Sequence, residues 1–295
     1  MIFLFSRMRL LSCIRCLLWC LPLTLPCQGT SHEEKWVARV HPPAGMYRAD
    51  LHFLSYTAIP KLKGVVVVAP GMNGDPECYM EDQGWCEFIK SNDLLMVGIS
   101  FASEYKDLHD RKGYYYPSSG SGKVLLEGLT RQGVGKLPMY MFGFSGGAHF
   151  VSRFVRWHPD GIVAWCAYSA AWWDRPMCKR NGVPGIVACG TLDIRLSASR
   201  TYFEQGRDCG EIWLWVAIES VGHERSVELE SFFRDYAVGI TRQSIGEMPN
   251  VGRWININTG NIEEWKFANG FPCSTGWLPD GRLQKEWCRL NGRFL

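Results

Sequence analysis

The chain has 295 residues, with 32 Lys and Arg against 29 Asp and Glu, for a formal charge of +3. Arg7, Arg9 and Arg15 lie in the first 29 positions, so the remainder balances at 29 against 29 with no basic run, and nucleic acid is not an expected partner. Roughly 265 residues beyond that point suffice for one α/β domain with a large core.

Residues 1–29 have a basic start, an apolar stretch from Leu10 to Leu25, and the breakers Pro22 and Pro26. That is the form of a cleavable signal peptide, with Cys27 and Gly29 as the small residues before the cut. Arg15 interrupts the ~20 apolar residues that a membrane span needs. The alternative is an uncleaved anchor or lipid attachment at Cys27, with Pro26 standing where a small residue is expected. Membrane contact would then run through the leader alone. The expected location is secreted or periplasmic.

Four of the twelve cysteines (Cys13, Cys16, Cys20, Cys27) fall in the leader, and eight remain. An even number in an exported chain favours disulfides, with Cys78/Cys86 and Cys273/Cys288 as the close pairs. Cys166 and Cys189 sit in apolar strands, where buried free thiols are the alternative. The eight are Cys78, Cys86, Cys166, Cys178, Cys189, Cys209, Cys273 and Cys288, and spacing does not fix their connectivity. Beyond the leader, no C-x-x-C or His-rich spacing suggests zinc, and no metal or organic cofactor is expected.

In chain order, Trp36–Tyr56 reads as a pair of edge strands. Gly64–Ala69 is a β-branched run, apolar on both faces as a central parallel strand should be. A helix over Trp85–Ser91 leads to a strand over Leu94–Phe101. A polar Gly/Ser/Tyr-rich loop covers Ser103–Gly122, and a helix over Lys123–Arg131 precedes a strand over Leu137–Phe142. Further strands are expected at Gly161–Tyr168, Val183–Gly190 and Ile212–Ile218, then a helix at Ser226–Tyr236. This alternation predicts an α/β fold: a mostly parallel central sheet with helices on both faces. The expected boundaries are a signal peptide over 1–29, a catalytic domain over 30–238 and an irregular Trp-rich extension over 239–295, packed on that domain. A small carbohydrate-binding module is the alternative for the extension, since exposed Trp stack on sugars.

Gly143-Phe144-Ser145-Gly146-Gly147 lies between the predicted strand at Leu137–Phe142 and an apolar helical pattern stopped by Pro159. G-x-S-x-G in that setting is a nucleophile elbow. A serine needs a base, and the base needs a group that fixes its tautomer. Asp193 follows one predicted strand in Gly190-Thr191-Leu192-Asp193. His223 follows the next in Gly222-His223, completing the order Ser, acid, His. Asp174 is the rival acid. Backbone N–H groups of Gly146 and Met72, the latter in Pro70-Gly71-Met72-Asn73-Gly74, are the candidate oxyanion donors.

These motifs, with Arg153-Phe154 and His158-Pro159, resemble those of α/β-hydrolases. More narrowly, the chain resembles secreted bacterial serine esterases of the poly(3-hydroxybutyrate) depolymerase, feruloyl esterase and dienelactone hydrolase type. Pro70-Gly71 stands where many of those proteins have His-Gly, and the extension has no counterpart in their pattern. The resemblance implies an α/β-hydrolase fold, a Ser145–His223–Asp193 triad, and a small or polymeric ester as substrate. The chain is expected to act as a monomer. Trp172 and Trp173 are candidates for the substrate pocket, and Tyr114–Tyr116 for its rim. A peptidase on the same scaffold and a non-catalytic polymer-binding surface protein are the competing readings.

Overall fold

The computed structural model describes residues 33–176, 182–241, 252–263 and 272–293. The predicted leader, Cys178 and Trp265 therefore lie outside the described residues. Among the described residues, eight strands form one sheet in the order β1-β2-β4-β3-β5-β6-β7-β8. β1 (Glu34–Arg39), β2 (Arg48–Ser55) and β4 (Leu94–Ala102) pair antiparallel. β4, β3 (Gly64–Ala69), β5 (Met139–Phe144), β6 (Ile162–Tyr168), β7 (Gly185–Gly190) and β8 (Trp213–Ile218) run parallel.

Hydrophobic burial explains the central strands. Val65–Val68 in β3 are wholly buried, because helices cover both faces of a parallel sheet. On one face lie α1 (Glu77–Met80), α2 (Gln83–Ser91) and α7 (Val227–Thr241). Phe142 of β5 packs there between Trp85 and Phe233, with ring centroids 5.7 and 5.6 Å away. On the other lie α4 (Ser121–Arg131), α5 (Gly146–Trp157) and α6 (Leu196–Asp208). Phe101 meets Phe150 of α5 there, and Trp213 meets Tyr202 of α6. α2 begins where the Asp82 side chain accepts the Trp85 N–H at 3.1 Å, an N-cap that satisfies an otherwise orphaned donor. The predicted polar loop after β4 contains the short helix α3 (Tyr105–His109).

Two expectations are corrected. Cys78, Cys86, Cys273 and Cys288 are free thiols, so neither close pair is bridged. Cys86 instead points its sulfur at the Met80 carbonyl, 3.3 Å away, and Cys288 is buried while Cys273 is exposed. Cys166 and Cys189 are free and buried, whereas Cys209 is disulfide-bonded. Tyr114 and Tyr115 are core residues rather than rim residues.

The extension is more regular than its composition suggests. β9 (Arg253–Asn256), β10 (Ile262–Glu263) and β11 (Thr275–Leu278) form a second, antiparallel sheet, followed by α8 (Gln284–Leu290). α7 continues to Thr241, past the expected boundary at 238. Trp254, Trp277 and Trp287 are buried and unavailable for stacking on a sugar. Trp287 donates its indole N–H to the Trp215 carbonyl at 2.7 Å. The Ala217 N–H bonds Asn291 Oδ1 at 2.8 Å, and the Glu219 N–H bonds the Leu290 carbonyl at 2.9 Å. Trp287→Ala should therefore cost about 3–5 kcal/mol of whole-chain stability, measured by urea unfolding. A change under about 1 kcal/mol would mean the extension is not part of the cooperative unit.

Candidate functional site

β5 ends in a turn that only small residues permit. A Cβ on Gly147 would stand 2.0 Å from the Ala69 carbonyl oxygen, and one on Gly143 2.4 Å from that of Gly147. Between them Ser145 adopts φ 52°, ψ −112°, a strained backbone for a residue with a side chain. Its N–H is bonded to the Tyr168 carbonyl at 2.8 Å, which ties the turn to β6. α5 starts at the next residue, so Ser145 stands at the positive end of a helix.

Asp193 and His223 emerge from the loops after β7 and β8, at the same edge of the sheet. The two loops are bonded together: Leu192 N–H to the Val221 carbonyl at 2.9 Å and Ser220 N–H to Thr191 Oγ1 at 2.8 Å. Gly190 makes this crossing possible, since a Cβ there would sit 2.2 Å from the Val221 oxygen. His223 Nδ1 lies 2.7 Å from Asp193 Oδ2, and Nε2 lies 2.9 Å from Ser145 Oγ. An ionised carboxylate can only accept, so it assigns the proton to Nδ1 and leaves Nε2 facing the hydroxyl as acceptor.

The Asp193 side chain is fully buried. Burial pushes its carboxyl up. The Arg195 N–H, His223, the Arg195 side chain and Ser169 together outweigh that, and the net value lies below the usual carboxylate range. Arg195 bonds Oδ1 through both its amide and its guanidinium, each at 3.0 Å. The rival, Asp174, is occupied elsewhere: Arg153 holds both its oxygens at 3.1 and 3.3 Å, and Arg156 lies 3.6 Å away.

The Met72 backbone lies directly against Gly146. A Cβ on Gly146 would fall 2.8 Å from Met72 N and 2.4 Å from the Tyr114 hydroxyl. Among the described residues, neither the Met72 nor the Gly146 N–H donates a hydrogen bond. Two unspent donors flank the serine. The Met72 loop is itself pinned. Asn73, in the left-handed region at φ 56°, exchanges two 3.1 Å bonds with the Ser103 backbone, and Arg48 donates to the carbonyls of Asn73 and Gly74.

Trp172 and Trp173 part company. Trp172 is 43% exposed and stacks on His149, beside His109 and Tyr105. Trp173 packs flat on Tyr202, centroids 4.3 Å apart, with its N–H on Ser199. His149, one helical turn beyond Ser145, accepts the Ala171 N–H, and burial drives its pKa down to about 3. It stays neutral. Among the described residues, no group of three or more His, Cys, Asp or Glu side chains is placed to hold a metal ion. A cavity of about 380 Å³ opens at the opposite edge of the sheet, lined by Phe88, Leu94, Tyr140 and Ile240.

By sequence, neither a family model nor a curated protein matches the chain. Solved structures do match. The poly(3-hydroxybutyrate) depolymerase LpqC of Bordetella parapertussis aligns over 71% of this chain and 89% of its own, at 16% identity and TM-score 0.51. A ferulic acid esterase aligns over 70% and 96%, at 12% identity and TM-score 0.54. Poly(aspartic acid) hydrolase-1 of Sphingomonas sp. KT-1 aligns over 71% and 98%, at 14% identity and TM-score 0.50. At such identities the likeness concerns architecture, and the architecture is the α/β-hydrolase fold.

Gly147→Ala should destabilise the chain by at least about 2 kcal/mol in urea unfolding, because the clash is with backbone that cannot move aside. A depressed carboxyl stabilises the fold above the unfolded-state value, and that contribution disappears as pH falls through the folded value. The stability advantage of wild type over Asp193→Asn should accordingly be constant above about pH 5 and shrink below about pH 4. An advantage that instead grew on acidification would contradict this assignment.

Proposed function

We propose that the chain is an exported serine hydrolase that cleaves carboxylic esters through an acyl-enzyme. Ser145 is the nucleophile, His223 its general base, and Asp193 the group that fixes the imidazole tautomer and stabilises the imidazolium. The observation that carries this reading is the unbroken line of hydrogen bonds from Asp193 through His223 to Ser145, at 2.7 and 2.9 Å.

The hydroxyl attacks the acyl carbon as its proton passes to His223 Nε2. The developing oxyanion is met by the Met72 and Gly146 N–H groups, which cost no reorganisation because nothing else claims them. His223 then protonates the leaving alcohol, and later activates the water that releases the acid. Exposed apolar side chains on the surrounding loops (Met72, Trp172, Leu192 and Ile194) support a substrate with apolar portions. Trp172 keeps its assignment to the substrate side, and Trp173 is assigned to packing. Export is inferred from the basic, apolar character of residues 1–29.

A fluorophosphonate probe should label the wild type and fail to label Ser145→Ala. His223→Ala should retain the wild-type circular dichroism and lose roughly 10⁴-fold in p-nitrophenyl acetate turnover. Asp193→Asn should fall by a comparable factor while Asp174→Asn stays within threefold. Labelling that persists in Ser145→Ala, or a folded His223→Ala chain with wild-type turnover, would sink the proposal.

A further inference from the structure

We infer that Arg225 is a positioning residue for the His223 imidazole, acting through the backbone of the loop they share. The inference rests on the hydrolase reading above. The loop from Val221 to Ser226 has no regular structure of its own, and a Cβ on Gly222 would meet nothing within 4 Å. At Gly222, next to the histidine, packing does not hold the loop. Yet the imidazole has to stay within hydrogen-bonding distance of Ser145.

Two residues past the histidine, Arg225 reaches into a charged niche on the α1/α2/α7 face. Its Nε and one terminal nitrogen take both oxygens of Glu230, each at 2.6 Å. That same nitrogen reaches Asp82 at 3.1 Å, and the other bonds the Cys78 carbonyl at 2.8 Å. The guanidinium also lies 4.6 Å from the centre of the Tyr79 ring. One side chain thereby joins the histidine loop to α1, to the cap of α2 and to α7.

The Glu230 side chain is fully buried, so it needs a cation, and its second partner is the Trp85 indole N–H at 2.7 Å. A planar fork meeting a carboxylate at two points fixes orientation as well as distance. From the other side, the Tyr168 hydroxyl donates to the Glu224 carbonyl at 2.7 Å. The Phe144 ring lies 5.1 Å from both Tyr168 and the His223 ring. The residue between histidine and arginine is thus pinned while the imidazole is backed by an aromatic wall. Loss of the Arg225 anchor lets the imidazole drift, and proton transfer is steeply sensitive to such displacement. Substrate contacts stay in place, so the defect belongs in kcat rather than KM.

The test uses the full chain. Arg225→Met combined with Glu230→Gln removes both charges and leaves Trp85 an acceptor. Arg225→Lys keeps the charge but loses the fork, and serves should the first variant not fold. With p-nitrophenyl acetate, kcat should fall at least tenfold in the double variant and at least threefold in Arg225→Lys, with KM within twofold of wild type. A folded double variant or Arg225→Lys chain with kcat within twofold of wild type overturns the inference, as does a loss carried by KM. Fluorophosphonate labelling of the wild type separates the two levels. If the wild type labels, such a result removes only the anchoring role; if it does not, the hydrolase reading and this inference fall together.

Discussion

One backbone contact conditions the whole site: the approach of Gly147 to the end of β3, so close that a Cβ would sit 2.0 Å from the Ala69 oxygen. Because α5 begins there without a connecting loop, Ser145 is forced to φ 52° and its hydroxyl stands clear of the sheet edge. The same proximity lays the Met72 loop over Gly146, so the serine hydroxyl and the two unspent N–H donors arise from one steric arrangement. The parallel run of β7 and β8 then brings Asp193 and His223 to that edge. A strained serine persists only where its surroundings over-determine it. Here the bond from its N–H to Tyr168 and the buried strand beneath it do so.

Charge is arranged around the site by pairing. Each of three carboxylates near it already has a guanidinium: Asp174 has Arg153, Glu230 has Arg225, and Asp193 has Arg195. Asp193 differs in reserving its second oxygen for an imidazole. That distinguishes the two acids the sequence leaves in competition. Asp174 is bonded to Arg153 at both oxygens, whereas Asp193 turns its second oxygen to His223.

The central strands were legible because a sheet covered on both faces demands unbroken apolar runs such as Val65–Val68. Ser145, Asp193 and His223 were legible because each follows such a run, in an order the elbow makes meaningful. α6 escaped sequence reading because its inward positions include Ser199 and Gly206, small residues where large Trp rings pack, rather than an apolar stripe. The Arg195 and Arg225 contacts were hidden for another reason. A guanidinium's partner is set by where the chain folds, and nothing in local spacing marks Glu230 as buried. Cysteine spacing likewise says nothing about Cβ direction, which decides whether a bridge can form.

β8 is the outermost parallel strand, and the backbone groups along its free margin would otherwise be a template for any other extended chain. The Trp287 indole, the Asn291 amide and the Leu290 carbonyl occupy those groups at Trp215, Ala217 and Glu219. The C-terminal segment thus acts as a stopper on sheet growth. A chain trimmed behind β11 would display a bare ladder, open to pairing with any other extended chain.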